Sequence, residues 1–235
     1  MEIKSSVLHL AATFSLFFYA ASISGQPDTV KAVSITANVD LMSRYIWRGI
    51  EIGHAPSIQP GVSVTWKDFT LGAWGAYKMN GEGVQETDFY LSKTFKFVTV
   101  AIWDYWTFND TTAFDFTDYN EKTTGHQLEA QVLFAGGESL PFNFMAGYFF
   151  YGADISKSIY LELQYVLKSG PANLVFFAGY QAKGTYYAPK TSFVNFGGTV
   201  KKSVAITGRF SLPVSISLIV NPFERSSYLV AGITL

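Results

Sequence analysis

The residues with chemistry to offer are carboxylates, amides and tyrosines set at every second position. Glu86, Asp88 and Tyr90 are spaced by two, as are Glu129 and Gln131, and Tyr160, Glu162 and Gln164 repeat the interval. In an extended chain residues i and i+2 project from one face, so each set presents its polar groups side by side. Glu86 and Asp88 could therefore work as a general acid and base. Any strand whose polar face lines an enclosed space generates the same pairs, and the spacing leaves both readings open. Two histidines follow the leading segment, His54 and His126, and neither stands beside an obvious nucleophile as a Ser–His relay requires. No Gly-rich phosphate loop, zinc pattern or nucleotide fingerprint occurs, so no cofactor and no metal is expected. With no cysteine, disulfides and thiolate ligands are excluded.

These residues sit in segments whose hydrophobic period is close to two. Val33, Ile35, Ala37, Val39 and Leu41 alternate with polar residues that include Asn38 and Asp40. Ile159, Leu161, Leu163 and Tyr165 oppose Tyr160, Glu162 and Gln164 in the same way. The breaks divide the chain into about twelve strands: 32–46, 57–66, 69–78, 86–95, 97–108, 126–135, 141–151, 158–168, 172–182, 191–201, 203–220 and 227–235. Short breaks at Lys67-Asp68, Lys96, Ser169-Gly170 and Lys202 alternate with long ones at 48–56, 79–85 and 109–125. Short periplasmic turns and long outer loops produce that alternation in an outer-membrane barrel.

Composition bears on what surrounds such a sheet. Charged residues are 15% of the chain and aromatics 17%, against about 25% charge in an ordinary soluble domain, so a water-facing exterior would be poorly solvated. The polar faces are rich in Asn, Gln, Ser, Thr and Tyr and poor in Lys, which suits a crowded or water-filled lumen. A soluble sandwich or lipocalin-like barrel has the same period with its apolar face turned inward. The formal net charge of −1 gives no basic face for nucleic acid. Lys4, the apolar run from Val7 to Ala21 and the small residues Ser22, Ser24 and Gly25 read as a cleaved secretory signal over 1–25, leaving a barrel over 26–235. The run is shorter than the roughly 20 residues of a membrane-spanning helix, and no other follows. The expectation is an all-β, transmembrane, antiparallel up-and-down barrel in the bacterial outer membrane, reached through the periplasm, with lipid around it and small solutes or ions within.

Ser43-Arg44-Tyr45-Ile46-Trp47-Arg48-Gly49, followed by Pro56, Gln59-Pro60-Gly61 and Gly72-Ala73-Trp74-Gly75, resembles the opening of the TorF-type family of outer-membrane porins, a family of unknown function. Glu86-Thr87-Asp88-Phe89-Tyr90, His126-Gln127-Leu128-Glu129 and Tyr160-Leu161-Glu162 are similar to its later strands, so the likeness spans about Val39 to Leu167. It implies an outer-membrane barrel and a channel, and it implies no substrate. Trp103-Asp104-Tyr105-Trp106 lacks the proline that the family's pattern carries after its tyrosine-rich strand.

With the apolar sets facing lipid, the lumen receives Asn38, Asp40, Arg44, Gln59, Glu86, Asp88, Tyr90, Gln127, Glu129, Gln131, Asn143, Tyr160, Glu162, Gln164, Asn195 and Arg209. Acids outnumber bases among them, which predicts a mild cation preference, or carboxylates paired internally to fill a narrow, non-conducting structural barrel. Strict alternation puts Asp104 on the lipid face, and a bulge is expected to turn it inward. Arg44 and Arg48 lie near the outer end of the first strand, placed for a salt bridge, for ligand recognition, or for one lining the mouth while the other snorkels. The outer loop with Asp110, Asp115, Asp118 and Glu121 lacks the Gly-containing EF-hand pattern. Its Phe114, Phe116 and Tyr119 are expected to fold it inward as a constriction.

Overall fold

A computed structural model of the protein describes residues 33–80, 83–109, 115–137 and 140–235; the expected signal segment lies outside them. Twelve strands among the described residues close into an antiparallel barrel. β1 (Ser34–Met42) is followed by two short strands, β2 (Tyr45–Trp47) and β3 (Ile50–Ile52), which pair only with each other. The wall continues with β4 (Ser57–Trp66), β5 (Phe69–Lys78), β6 (Gln85–Phe95), β7 (Val98–Phe108), β8 (His126–Ala135) and β9 (Phe142–Gly152). It is completed by β10 (Ile159–Ser169), β11 (Ala172–Lys183), β12 (Ser192–Ala205), β13 (Ser211–Asn221) and β14 (Ser226–Thr234). β1 pairs with β4 on one side and β14 on the other, and reciprocal hydrogen bonds between Val39 and Leu235 (2.9 and 3.1 Å) lengthen the closing seam. Closure matters because hydrocarbon offers no partner to a free backbone N–H.

The pleat is settled by which side of each strand is covered. Val62 is 46% exposed and Ile206 56%, whereas Gln131 is 8% and Glu162 2% exposed. Leu71, Leu91, Ile102, Leu163 and Ile216 continue the exposed apolar wall. An apolar outside around a polar inside is the reverse of a lipocalin-like barrel, and it makes this a membrane-spanning one.

The chain departs from alternation at instructive places. The segment 203–220 is not one strand: Ile206–Phe210 turns, closed by bonds from the Ile206 and Thr207 amides to the Phe210 carbonyl (2.9 and 3.0 Å). Val204 pairs with Leu212 and Val200 with Ile216, all even-numbered, so the apolar phase runs through the turn unbroken and hides it from periodicity. Arg209, expected in the lumen, is exposed in this turn. β7 carries no bulge; its register with β6 and β8 is continuous, and Asp104 stays on the outer face with Val100 and Ile102. The first strand stops at Met42, and Tyr45 and Ile46, expected to extend it, instead belong with Trp47 to the hairpin β2–β3, where Tyr45 and Trp47 are buried.

Candidate lumen site

The hairpin turns on Arg48 and Gly49, both with positive φ (50° and 82°), as a two-residue type I′ turn requires. Gly49 is also steric: a Cβ there would lie 2.0 Å from the Val194 carbonyl oxygen on β12. Asn221, at the end of β13, donates its side-chain N–H to the Gly49 carbonyl at 3.2 Å, seating the tip against the wall. Gly49→Ala is therefore expected to unseat the hairpin while the barrel stays closed, with at least about 1–2 kcal/mol lost to the backbone alone. Faster proteolysis within 45–52 at unchanged heat-modifiable gel mobility is the expected readout, and an unchanged digestion rate would contradict it.

Seated this way, the hairpin places Arg48 deep in the barrel. Its Nη1 and Nη2 donate to the two Glu129 oxygens at 2.6 and 2.9 Å, and Nη1 donates to the Tyr187 hydroxyl at 2.5 Å. The guanidinium carbon lies 4.6 Å from the ring centres of both Trp47 and Tyr160. Tyr105 donates to Glu129 at 2.8 Å and Gln131 donates to Tyr105 at 2.9 Å. On the neighbouring wall Glu162 accepts from Tyr160 (2.5 Å), Gln164 (2.8 Å) and Asn195 (3.0 Å). The expected lumen residues Glu129, Gln131, Tyr160, Glu162 and Gln164 thus meet in one network. Its centre is Arg48, which the sequence shows only as one of two neighbouring arginines. β-bulges flank this level, at Leu128/Glu129 and at Gly179/Tyr180.

A second loop closes over the hairpin. Gln181 accepts from the Tyr187 amide at 2.7 Å and donates to the Ala188 carbonyl at 2.6 Å, turning Tyr187 into the lumen. The loop is tied sideways by hydrogen bonds from the Thr185 and Tyr186 amides to Ser156 and Ser158. Asp154, which organises those serines, is pushed up by partial burial, but hydrogen bonds from Ser156 and Ser158 outweigh this and hold it below the usual aspartate range. A depressed carboxyl stabilises above its unfolded-state value, so this tie loosens only as pH falls through the lowered one. Trp47 packs at 5.5 Å on Tyr105 and 5.5 Å on Tyr187, and Tyr45 at 5.4 Å on Trp74. Beside the hairpin remains a cavity of about 50 Å³ bounded by Trp47, Ile52, Glu86, Tyr105, Phe149 and Tyr186, room for a few waters.

The remaining expected positions fall in three places. Glu86 and Asp88 face inward on β6, 4% and 0% exposed; both Asp88 oxygens and Glu86 Oε2 lack a hydrogen-bond partner. Asp40 accepts from Thr234 at 2.6 Å near the seam, and Tyr90 is half-buried, stacked on Trp103 at 4.3 Å. Arg44 is not in the lumen: its half-exposed side chain pairs with Glu51, because the chain leaves the wall after Ser43, whose amide still donates to the Ala231 carbonyl. Glu51 also meets His54 Nδ1 at 2.9 Å. Partial burial pushes the Glu51 carboxyl up, but the bonds from Arg44 and His54 prevail and keep it below the usual glutamate range.

The acidic loop corrects another expectation. Phe116 and Tyr119 do not constrict the lumen, and Phe114 lies outside the described residues. Phe116 packs at 6.0 Å on Phe89 and 5.1 Å on Trp106, and Tyr119 stacks on His126 at 4.0 Å, all on the outer wall. Beneath them His126 Nδ1 lies 2.8 Å from Asp104 Oδ1 and Nε2 lies 2.7 Å from the Phe116 carbonyl, while Tyr119 donates to Asp104 Oδ2 at 2.6 Å. An outward Asp104 is tolerated because this apron covers it. His126→Ala is expected to free the apron, with roughly 1.5–3 kcal/mol lost from its attachment. The check is a protease-accessible cut within 115–124, and full protection would contradict it.

Fold and lumen define a membrane-spanning antiparallel barrel whose lumen is entered by its own β2–β3 hairpin, with Tyr187 of a second loop against it. Over residues 27–212 the chain matches the family described as "Bacterial protein of unknown function (Gcw_chp)", and it belongs to that family. The TorF-type name is not borne by that match; a bacterial family of unknown function is what the two have in common. No curated protein matches the chain. A solved structure entitled "KdgM porin" is similar over 84% of this chain and 96% of that one, at 10% identity and a TM-score of 0.47.

Proposed function

We propose that the protein is a porin-like diffusion channel of the bacterial outer membrane, for small solutes or ions with a preference for cations, whose lumen is constricted by the β2–β3 hairpin. The observation that carries this reading is the inner wall. Among the described residues, the carboxylates and guanidinium buried on the inner face of the strands and on the hairpin are Asp40, Glu86, Asp88, Glu129, Glu162 and Arg48, and the partly buried Lys201 lies near Asp40 on the same face. Such a surplus of carboxylates raises the local concentration of cations and opposes anions. Export through the periplasm, directed by the leading segment, accompanies the proposal.

The test is the reversal potential across a planar bilayer in a potassium chloride gradient. Cation selectivity is expected, and Glu86→Gln together with Asp88→Asn should move the potential towards zero. An anion-selective or unselective wild type would remove the cation preference. A second reading, a non-conducting structural barrel, is favoured by the seal itself. Silence of both the wild type and a variant with the hairpin disabled would establish it over the channel.

A further inference from the structure

The guanidinium of Arg48 is held by groups that belong almost entirely to the barrel and not to the hairpin that delivers it. Glu129 on β8 grips it with both oxygens, the Tyr187 hydroxyl accepts a further N–H, and the Tyr160 ring on β10 faces it. Tyr105 donates to Glu129, and Gln131 donates to both Tyr105 and Glu129, so wall residues as well as Arg48 orient the carboxylate. A carboxylate that accepts a fork of two N–H groups, a hydroxyl acceptor and an aromatic face together form a receptor for a planar, fork-shaped cation. We propose that this cage is a binding site for a guanidinium-bearing organic cation entering the barrel, and that Arg48 is a tethered stand-in holding the site when no such solute is bound. The inference rests on the channel reading above and names a solute class for it.

Two observations support it independently of the cage. Arg48 Nε is buried without a partner, so the tethered group does not use all of its donors. Next to the cage, across the cavity that Glu86 and Tyr105 both border, Glu86 Oε2 and both Asp88 oxygens are buried acceptors that Arg48 does not reach. Exchange of Arg48 for a free guanidinium leaves the charge of the cage unchanged, so it opposes only the seating of the hairpin. Permanent pairing of Arg48 as a simple lock would predict no competition by any solute.

The experiment measures current through the full-length, refolded barrel in planar bilayers, with methylguanidinium chloride added against tetramethylammonium chloride at equal ionic strength. Methylguanidinium is expected to produce resolved current interruptions that tetramethylammonium does not. If the hairpin-displaced state is a minor one of at most about 10%, removing the competitor by Arg48→Ala should tighten the half-blocking concentration by about tenfold or more. Glu129→Gln should abolish the effect. Identical currents with both cations, in wild type and Arg48→Ala alike, would overturn the proposal while leaving the channel intact. If no ion passes at all, thermal unfolding of Arg48→Ala decides: a midpoint raised by methylguanidinium alone keeps the site and removes the channel, and no rise removes the site. Arg48→Lys, which keeps a buried cation but not the fork, replaces Arg48→Ala should the latter fail the heat-modifiability check, with a smaller shift in the same direction expected.

Discussion

Replacing Tyr45–Ile52 by a Gly-Ser stretch of equal length is expected to turn a nearly closed barrel into an open one, with single-channel conductance rising severalfold. Eight strands enclose a space that side chains can fill, whereas sixteen or more leave an aqueous channel. Twelve lie between, so the wall residues alone do not close the lumen and the hairpin must complete the packing. Its Trp47 and Arg48 occupy the level where Tyr105, Tyr160 and Phe149 project inward and are buried, with a cavity of about 50 Å³ beside them. Met42 and Ser57 are register partners on β1 and β4, so the substitution leaves the wall pairing in place. Conductance is compared in planar bilayers at fixed salt; equal values for the two proteins would mean that the hairpin is not the barrier.

Glu129→Ala is expected to lower barrel stability by about 3–5 kcal/mol, among the largest effects of a single substitution here, because it leaves the buried Arg48 guanidinium without its bidentate partner. The pair is 1–2% exposed, too enclosed for water to replace the carboxylate. Arg48→Ala in the same chain should recover part of the loss, since an uncompensated charge is costlier than a missing pair. Denaturant titration of wild type, both single variants and the double, followed by gel mobility, gives the coupling. Strict additivity of the two single effects would show that the ion pair contributes nothing to the fold.

The twelve wall strands are legible in the sequence because a sheet immersed in lipid with a polar interior must alternate at every second residue, and alternation is a local property. The same rule places Glu86, Asp88, Glu129, Glu162 and Gln164 on one side of the pleat with no knowledge of what they touch. It fails at Ile206–Phe210, where pairing partners share parity and the pattern crosses a turn without a break, so alternation assigns Arg209 to the lumen although it is exposed in the turn. It fails also at Tyr45–Trp47, whose alternation continues that of β1 although the chain has left the wall. Asp104 is the converse case: alternation reads its face correctly, and the outward carboxylate is met by His126 and Tyr119, contacts that a bulge would not make and that no local pattern shows.

What the sequence determined by itself is therefore the wall: strand number, which face meets hydrocarbon, and the acidic and amide character of the interior. Which loop enters the barrel and which lies against its outside was decided by the tertiary structure. Arg48 meets Glu129 across 81 residues and Tyr187 across 139, and His126 meets Asp104 across 22. Partners so far apart are chosen by where closure of the sheet brings their strands together, which no local period records.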